Sequence, residues 1–228
     1  RFYFDEGKSG TVASANDGYL STGTPIAPAT YDAYTVDYST TSGKNSRWGA
    51  VLRASDYPDM RPNDYKALTY TTPPLRSDTE ITGHPVVHLW LTTKAPDLDV
   101  FVYLEKVDGK GNSTYVAEGN LRASHRTLSE APYGNLGLPY HHHYESELEQ
   151  IPAGEPFELV FDILPTSCLF PAGSRIRITI TFADADNFDT PVLDPAPEVH
   201  LLRDADHLSF IELPIVSAAR ETSDFHNG

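Results

Sequence analysis

Phe157-Glu158-Leu159-Val160-Phe161-Asp162-Ile163 alternates apolar and polar side chains with a period of two. In extended backbone, successive side chains point to opposite faces. Phe157, Leu159, Phe161 and Ile163 therefore share one face, with Glu158 and Asp162 on the other. Ile176, Ile178, Ile180 and Phe182 repeat the pattern, with Arg175, Arg177 and Thr179 outward. Val100, Val102 and Leu104 alternate instead with Phe101 and Tyr103, which reads as a strand buried on both sides.

Working outward, further strands are expected at Arg1–Asp5, Tyr34–Tyr38, Lys66–Thr71, Val86–Thr92, Tyr115–Glu118, Leu121–Arg126, Val199–Arg203 and Leu208–Ile215. Asp108-Gly109-Lys110-Gly111 reads as a hairpin turn, and Pro152-Ala153-Gly154 and Pro171-Ala172-Gly173 each introduce a strand. Asp17–Ala29 is rich in Gly, Ser, Thr and Pro and reads as a loop. No window carries a helical stripe of ten or more residues. About ten strands without a clear helix predict an all-β jelly-roll sandwich.

The chain has 228 residues, 39% of them apolar, which suffices for one sizeable core. Its formal net charge of −15 disfavours binding to nucleic acid and to anionic lipid. The longest apolar stretch lies around Val86–Leu91, far below the ~20 residues of a membrane helix. With Cys168 as the single cysteine no internal disulfide can form; this fits a reducing compartment and leans the reading towards the cytoplasm. Arg1 stands directly inside an apolar-rich run, which suggests a fragment or a processed product. Ser217–Gly228 is polar and reads as a fraying tail.

Four features could carry chemistry. Ser124-His125 pairs a hydroxyl with an imidazole, but on a strand ending near Arg126 neighbouring side chains face opposite ways, which favours a structural role. His141-His142-His143-Tyr144-Glu145 would place His141, His143 and Glu145 on one face of an extended segment, where they could ligate zinc; the other reading is a polar loop of hydrogen-bonded imidazoles. Asp184-Ala185-Asp186-Asn187-Phe188-Asp189 resembles a calcium loop, but Phe188 breaks the alternation of oxygen ligands. Trp48 and Trp90 could offer sugar-stacking surfaces or pack in the core, and Cys168 reads as a small buried hydrophobe. None of these is assigned as a catalytic, cofactor or metal residue, and no cofactor is expected. The Gly-x-Ser-x-Gly nucleophile elbow of α/β-hydrolases is absent.

Several stretches resemble a known family in order and spacing. They are Leu68-Thr69-Tyr70-Thr71-Thr72-Pro73-Pro74-Leu75 with Thr82-Gly83-His84-Pro85; Asp97-Leu98-Asp99-Val100-Phe101-Val102-Tyr103-Leu104; Gly119-Asn120-Leu121-Arg122-Ala123-Ser124-His125-Arg126; Leu164-Pro165-Thr166-Ser167; and Phe170-Pro171-Ala172-Gly173-Ser174-Arg175-Ile176-Arg177. Together they are similar to the carboxyl-terminal domain of the X-prolyl dipeptidyl peptidase family, a domain shared by cocaine esterase and the α-amino-acid ester hydrolases. The resemblance covers about residues 1–216 and leaves 217–228 as a tail. It implies a jelly roll resembling galactose-binding domains, following an α/β-hydrolase domain that holds the Ser, Asp and His of the triad. It therefore implies that this chain carries no triad residue and that its partner is the upstream catalytic domain of the same polypeptide. A carbohydrate-binding module and a homo-oligomerisation domain remain open as alternatives.

Thr127–Tyr144 is far longer than the usual ~4–6 residue connection. Its Leu128, Tyr133, Leu136, Leu138, Pro139, Tyr140 and Tyr144 supply apolar area worth burying. The expectation is that it contacts the catalytic domain; the competing one is that it folds back over its own sandwich.

A chain without nucleophile, base and oxyanion hole lacks the groups that each normally supply several kcal/mol of catalysis. The 228-residue chain alone should release no p-nitrophenol from a p-nitrophenyl ester and no p-nitroaniline from an X-Pro anilide. Turnover above a heat-killed control that survives repurification would contradict this.

Overall fold

The computed structural model describes residues 1–49 and 54–216. The expected polar tail lies outside the described residues. Among them are fourteen strands: β1 (Phe2–Asp5), β2 (Gly18–Ser21), β3 (Tyr31–Thr35), β4 (Leu68–Thr71), β5 (Thr79–Gly83), β6 (Val86–Thr93), β7 (Asp99–Val107), β8 (Ser113–Arg122), β9 (Phe157–Asp162), β10 (Thr166–Phe170), β11 (Arg175–Thr181), β12 (Glu198–Leu202), β13 (Phe210–Glu212) and β14 (Ile215–Val216). The single α-helix among the described residues, α1, is the four-residue turn Arg61–Asp64.

Hydrogen bonding runs β3-β12-β6-β13-β1-β2-β4-β11-β7-β8, with β9 on the other side of β6; β10-β5-β14 form a separate small sheet. All pairs are antiparallel except β2 with β4. The long path curls on itself. Val87, Leu89 and Leu91 of β6, Phe157, Leu159 and Phe161 of β9, Val100, Val102 and Leu104 of β7, and Ile176, Ile178 and Ile180 of β11 share one buried cluster. The chain is thus an all-β sandwich whose inner faces are the alternating residues read from the sequence. Gly119 marks where β8 meets the end of β9: a Cβ there would stand 2.6 Å from Ile163 Cγ2 and 2.9 Å from the Asp162 carbonyl oxygen.

The Asp108–Gly111 turn joins β7 to β8 as expected, its Asp108 carboxylate accepting from the backbone N–H groups of Lys110 and Asn112. Other expectations are corrected. Gly18–Ser21 is a strand, because β1 and β4 flank it with ladder partners. The strand expected to run to Arg126 ends at Arg122, and Ala123–His125 form a 3-10 turn.

The largest correction concerns the outward face of β11. Arg177 and Thr179 do point away from the apolar core, yet both are completely buried. The segment between β3 and β4 lies over them. Arg177 Nη1 donates to Asp64 Oδ2 at 2.6 Å and Nε to Thr71 Oγ1 at 3.0 Å, while Nη2 reaches Thr11 Oγ1 at 3.0 Å. Met60 packs on Phe101 and Tyr103, Arg47 Nε meets Glu118 Oε1 at 2.7 Å, and the Tyr57 ring stacks on Tyr115 at 3.5 Å.

Glu105 lies in the same layer, fully buried; its Oε2 accepts from Ser113 Oγ at 2.6 Å and its Oε1 meets no donor. Burial, reinforced by the nearby Asp64 charge, pushes its carboxyl well above the usual range. Asp64 is also raised by burial, but Arg177 pulls against that, so of the two Glu105 holds its proton the more readily. The folded chain then keeps a proton that the unfolded chain loses near pH 4.3, so stability falls as pH rises through the window above that value, by up to ~1.4 kcal/mol per pH unit. Glu105→Gln should flatten this slope and match or exceed the parent at about pH 8. Urea denaturation of both across pH 5–8 measures it; equal slopes would show Glu105 ionised in the fold.

Candidate interaction face

Thr127–Tyr144 leaves the sandwich at a corner built from charged and polar side chains. Arg122 pairs with Asp99 through Nε and Nη2 at 2.7 and 2.9 Å. The Ser124 hydroxyl donates to Asp97 Oδ2 at 2.7 Å, and its N–H to Oδ1 at 3.0 Å. Arg126 Nη1 and Nη2 donate to the carbonyls of Glu149 and Gln150 at 2.7 and 3.0 Å, tying the start of the loop to its return. Ser124 is therefore committed to Asp97, while the His125 ring lies 5.2 Å from that of His143. The two lie in a 3-10 turn, not on opposite faces of a strand, and the Ser124 hydroxyl is directed to Asp97 and not to His125.

Within the loop, the Ser129 N–H donates to the Tyr140 carbonyl at 2.8 Å. His141 sits between two carbonyl oxygens, Nδ1 3.1 Å from that of Thr127 and Nε2 3.0 Å from that of Val160 in β9. His142 Nδ1 meets both carboxylate oxygens of Glu147 at 3.0 and 3.1 Å. His143 adopts a left-handed backbone, φ 58°; partial burial and then the neighbouring His141 and His125 hold its imidazole below the ordinary value. Both nitrogens of His141 are occupied and Glu145 lies exposed in a 3-10 turn, so the His141, His143, Glu145 ligand set is not assembled. Among the described residues no three His, Cys, Asp or Glu side chains are grouped to hold a metal.

The loop covers part of β9 and still shows apolar side chains to solvent. Leu136 is 87% exposed, Tyr133 62%, Tyr144 61% and Leu128 54%; Leu148 follows just beyond. Beneath them opens a cleft of about 460 Å³ lined by Tyr133, Leu136, Tyr140, His141, His143 and the facing pair His84–Asp162. Sequence reasoning missed His84 and Asp162 here, since no motif links them.

The remaining candidates lie elsewhere on the sandwich. Trp48 lies edge-on to Phe188 under the Arg47 guanidinium, whereas Trp90 on β6 meets His207, so the two offer no shared platform. Cys168 is half-buried on β10, against the expectation of full burial, with its Sγ 3.9 Å from Lys106 Nζ.

Comparison with known proteins agrees with this picture. The model of a family described as the X-Pro dipeptidyl-peptidase C-terminal non-catalytic domain matches residues 3–208. A Mycobacterium bovis protein named "Putative serine esterase" is 40% identical over 205 residues, which are 88% of this chain and 32% of that protein. The solved structure of an α-amino acid ester hydrolase superposes with a TM-score of 0.68 at 19% identity, over 94% of this chain and 36% of the other. An aminopeptidase from a Thaumarchaeota archaeon superposes at 0.69 with 16% identity, over 95% and 37%. The chain thus spans about a third of the length of these relatives.

In the acidic loop, the buried Asp184 carboxylate already accepts from Thr41 Oγ1, Ser42 N, Asn187 Nδ2, Ser42 Oγ and Tyr103 OH. Its oxygens are turned inward to donors instead of outward to a cation. Calcium titrated into chelator-treated protein should give no calorimetric binding isotherm. A dissociation constant around 10⁻⁶ M or below, the range of dedicated calcium sites, would contradict this assignment.

Proposed function

The chain belongs to the X-Pro dipeptidyl-peptidase C-terminal non-catalytic domain family, and on that footing we propose that it is the accessory sandwich of a serine hydrolase cleaving ester or amide bonds, docked to the catalytic domain through Thr127–Leu148. The observation that carries the proposal is the row of exposed apolar side chains on one loop, Leu128, Tyr133, Leu136, Tyr144 and Leu148. The occupant is the remaining two thirds or so of such a polypeptide, as the 32% coverage of the mycobacterial relative indicates. Covering roughly 300 Å² of this apolar area at about 25 cal/mol per Å² contributes on the order of 7 kcal/mol, enough to help hold two domains together. The charged and histidine groups around the cleft form the polar rim common to inter-domain contacts of ~600–1,500 Å². In this reading the cleft with His84, His141 and His143 borders the substrate path without supplying a catalytic group.

Hydrogen exchange tests the docking. Amides of Thr127–Leu148 should exchange more slowly in the full-length polypeptide than in the chain alone. Leu136→Asp should change the stability of the chain alone by less than ~0.5 kcal/mol, because the side chain is exposed, but lower the full-length melting temperature by a few degrees. Equal protection in both contexts, or self-association of the chain alone that Leu136→Asp abolishes, would overturn the docking role, the latter in favour of homo-oligomerisation.

A further inference from the structure

We propose that the Thr127–Tyr144 loop is clasped to its own sandwich by a proton: with both ring nitrogens of His141 protonated the imidazolium bridges loop and strand, and losing that proton opens the clasp. This concerns the chain by itself and stands whatever the loop docks against. His141 Nδ1 lies 3.1 Å from the Thr127 carbonyl oxygen and Nε2 lies 3.0 Å from the Val160 carbonyl oxygen. Carbonyl oxygens only accept hydrogen bonds, and a neutral imidazole has one N–H and one lone pair. A neutral ring in this position turns a lone pair towards a carbonyl oxygen at about 3 Å, where a hydrogen bond needs a donor. The imidazolium alone satisfies both contacts.

The position gives this consequence. Thr127 is where the chain leaves the corner, His141 is where the loop returns, and Val160 sits inside β9. Among the described residues, β9 has β6 as its only ladder partner, so carbonyls on its other edge need donors from elsewhere. His141 supplies one, and the bridge joins three stretches far apart in sequence.

The surroundings pull the same way. Glu147 brings a carboxylate to the same stretch, 3.0 Å from His142 Nδ1. Asp162 lines the cleft with His141, its Oδ2 3.3 Å from His84 Nδ1. Glu149 Oε2 accepts from Thr127 Oγ1 at 3.2 Å at the loop's start. The opposing groups are the imidazoles of His143, whose ring centroid is 5.7 Å away, and of His125 beyond it. His143 is itself held towards its neutral form, by partial burial first and then by the charges of its two neighbours, which limits the repulsion.

The test is hydrogen exchange of the 127–144 amides in the 228-residue chain, corrected for intrinsic rates, at about pH 5.5 and about pH 8, either side of the ordinary histidine range. Exchange should be about tenfold slower at the lower pH, the effect of one hydrogen-bonded contact. His141→Gln, neutral at both values, should remove that step, while Glu147→Gln should leave most of it. Ring ¹⁵N shifts of His141 in the unsubstituted chain supply a readout independent of folding of the variants. Two protonated-type nitrogens at about pH 5.5 and one at about pH 8 support the clasp. Equal corrected exchange at the two pH values, a step undiminished in His141→Gln, or one unprotonated His141 nitrogen at the lower pH would overturn it.

Discussion

The fold depends on a guanidinium that never sees water. Arg177 lies in the middle of β11 and reaches Asp64, Thr71 and Thr11, joining α1, β4 and the segment that follows β1. Isolated, such a charge would be prohibitive to bury; with its carboxylate and two hydroxyls in place it is compensated, and removing either ion would typically cost ~3–5 kcal/mol. The value of the pair is specificity more than net stabilisation. The pair ties α1 to β11 over the sheet. Thr179, donating to Asp64 Oδ1 at 3.1 Å, and Glu105, whose carboxyl burial pushes well above its usual range, belong to the same polar layer, which an apolar covering would leave unsatisfied.

The long loops divide by what they cover. The segment between β3 and β4 spends its side chains on its own domain: Met60, Asn63 and Asp64 are buried, and Arg47 and Tyr57 meet Glu118. The loop between β8 and β9 is anchored by polar contacts at its base and directs Leu136 and Tyr133 outward. Two loops in one chain thus have opposite relations to its surface. That contrast, more than the apolar content of either, separates side chains buried in the domain from side chains left exposed on it.

Much of the sandwich was legible because period-two alternation reports local geometry directly. The strands around Phe157, Ile176 and Val86 lie where their patterns place them. What alternation cannot report is the covering of the second face. Arg177 and Thr179 read as solvent residues because nothing within ten positions reveals a segment more than a hundred residues earlier lying over them. Short strands fail for a related reason. Gly18–Ser21, Thr79–Gly83 and Thr166–Phe170 have ladder partners from distant parts of the chain, and at four or five residues each is too short for its own alternation to stand out. Of the candidate site, the loop and its apolar residues were legible from length and composition. The cleft was not, since His84, in the connection between β5 and β6, and Asp162, at the end of β9, lie 78 positions apart in the chain.

The motif with the most catalytic look does its work in architecture. Arg122-Ala123-Ser124-His125-Arg126 holds a hydroxyl, an imidazole and two guanidinium groups within five residues, and Asp97 and Asp99 stand close by. The hydroxyl and both guanidinium groups are spent on geometry. Arg122 closes on Asp99, Ser124 on Asp97, and Arg126 on the carbonyls of Glu149 and Gln150. The corner so formed sets the direction in which Thr127 departs and brings the returning chain beside it. The exposed face of the loop therefore depends on residues that take no part in it. The Ser124 hydroxyl is directed to Asp97 and not to the adjacent imidazole, so the dipeptide's two side chains do not act on each other.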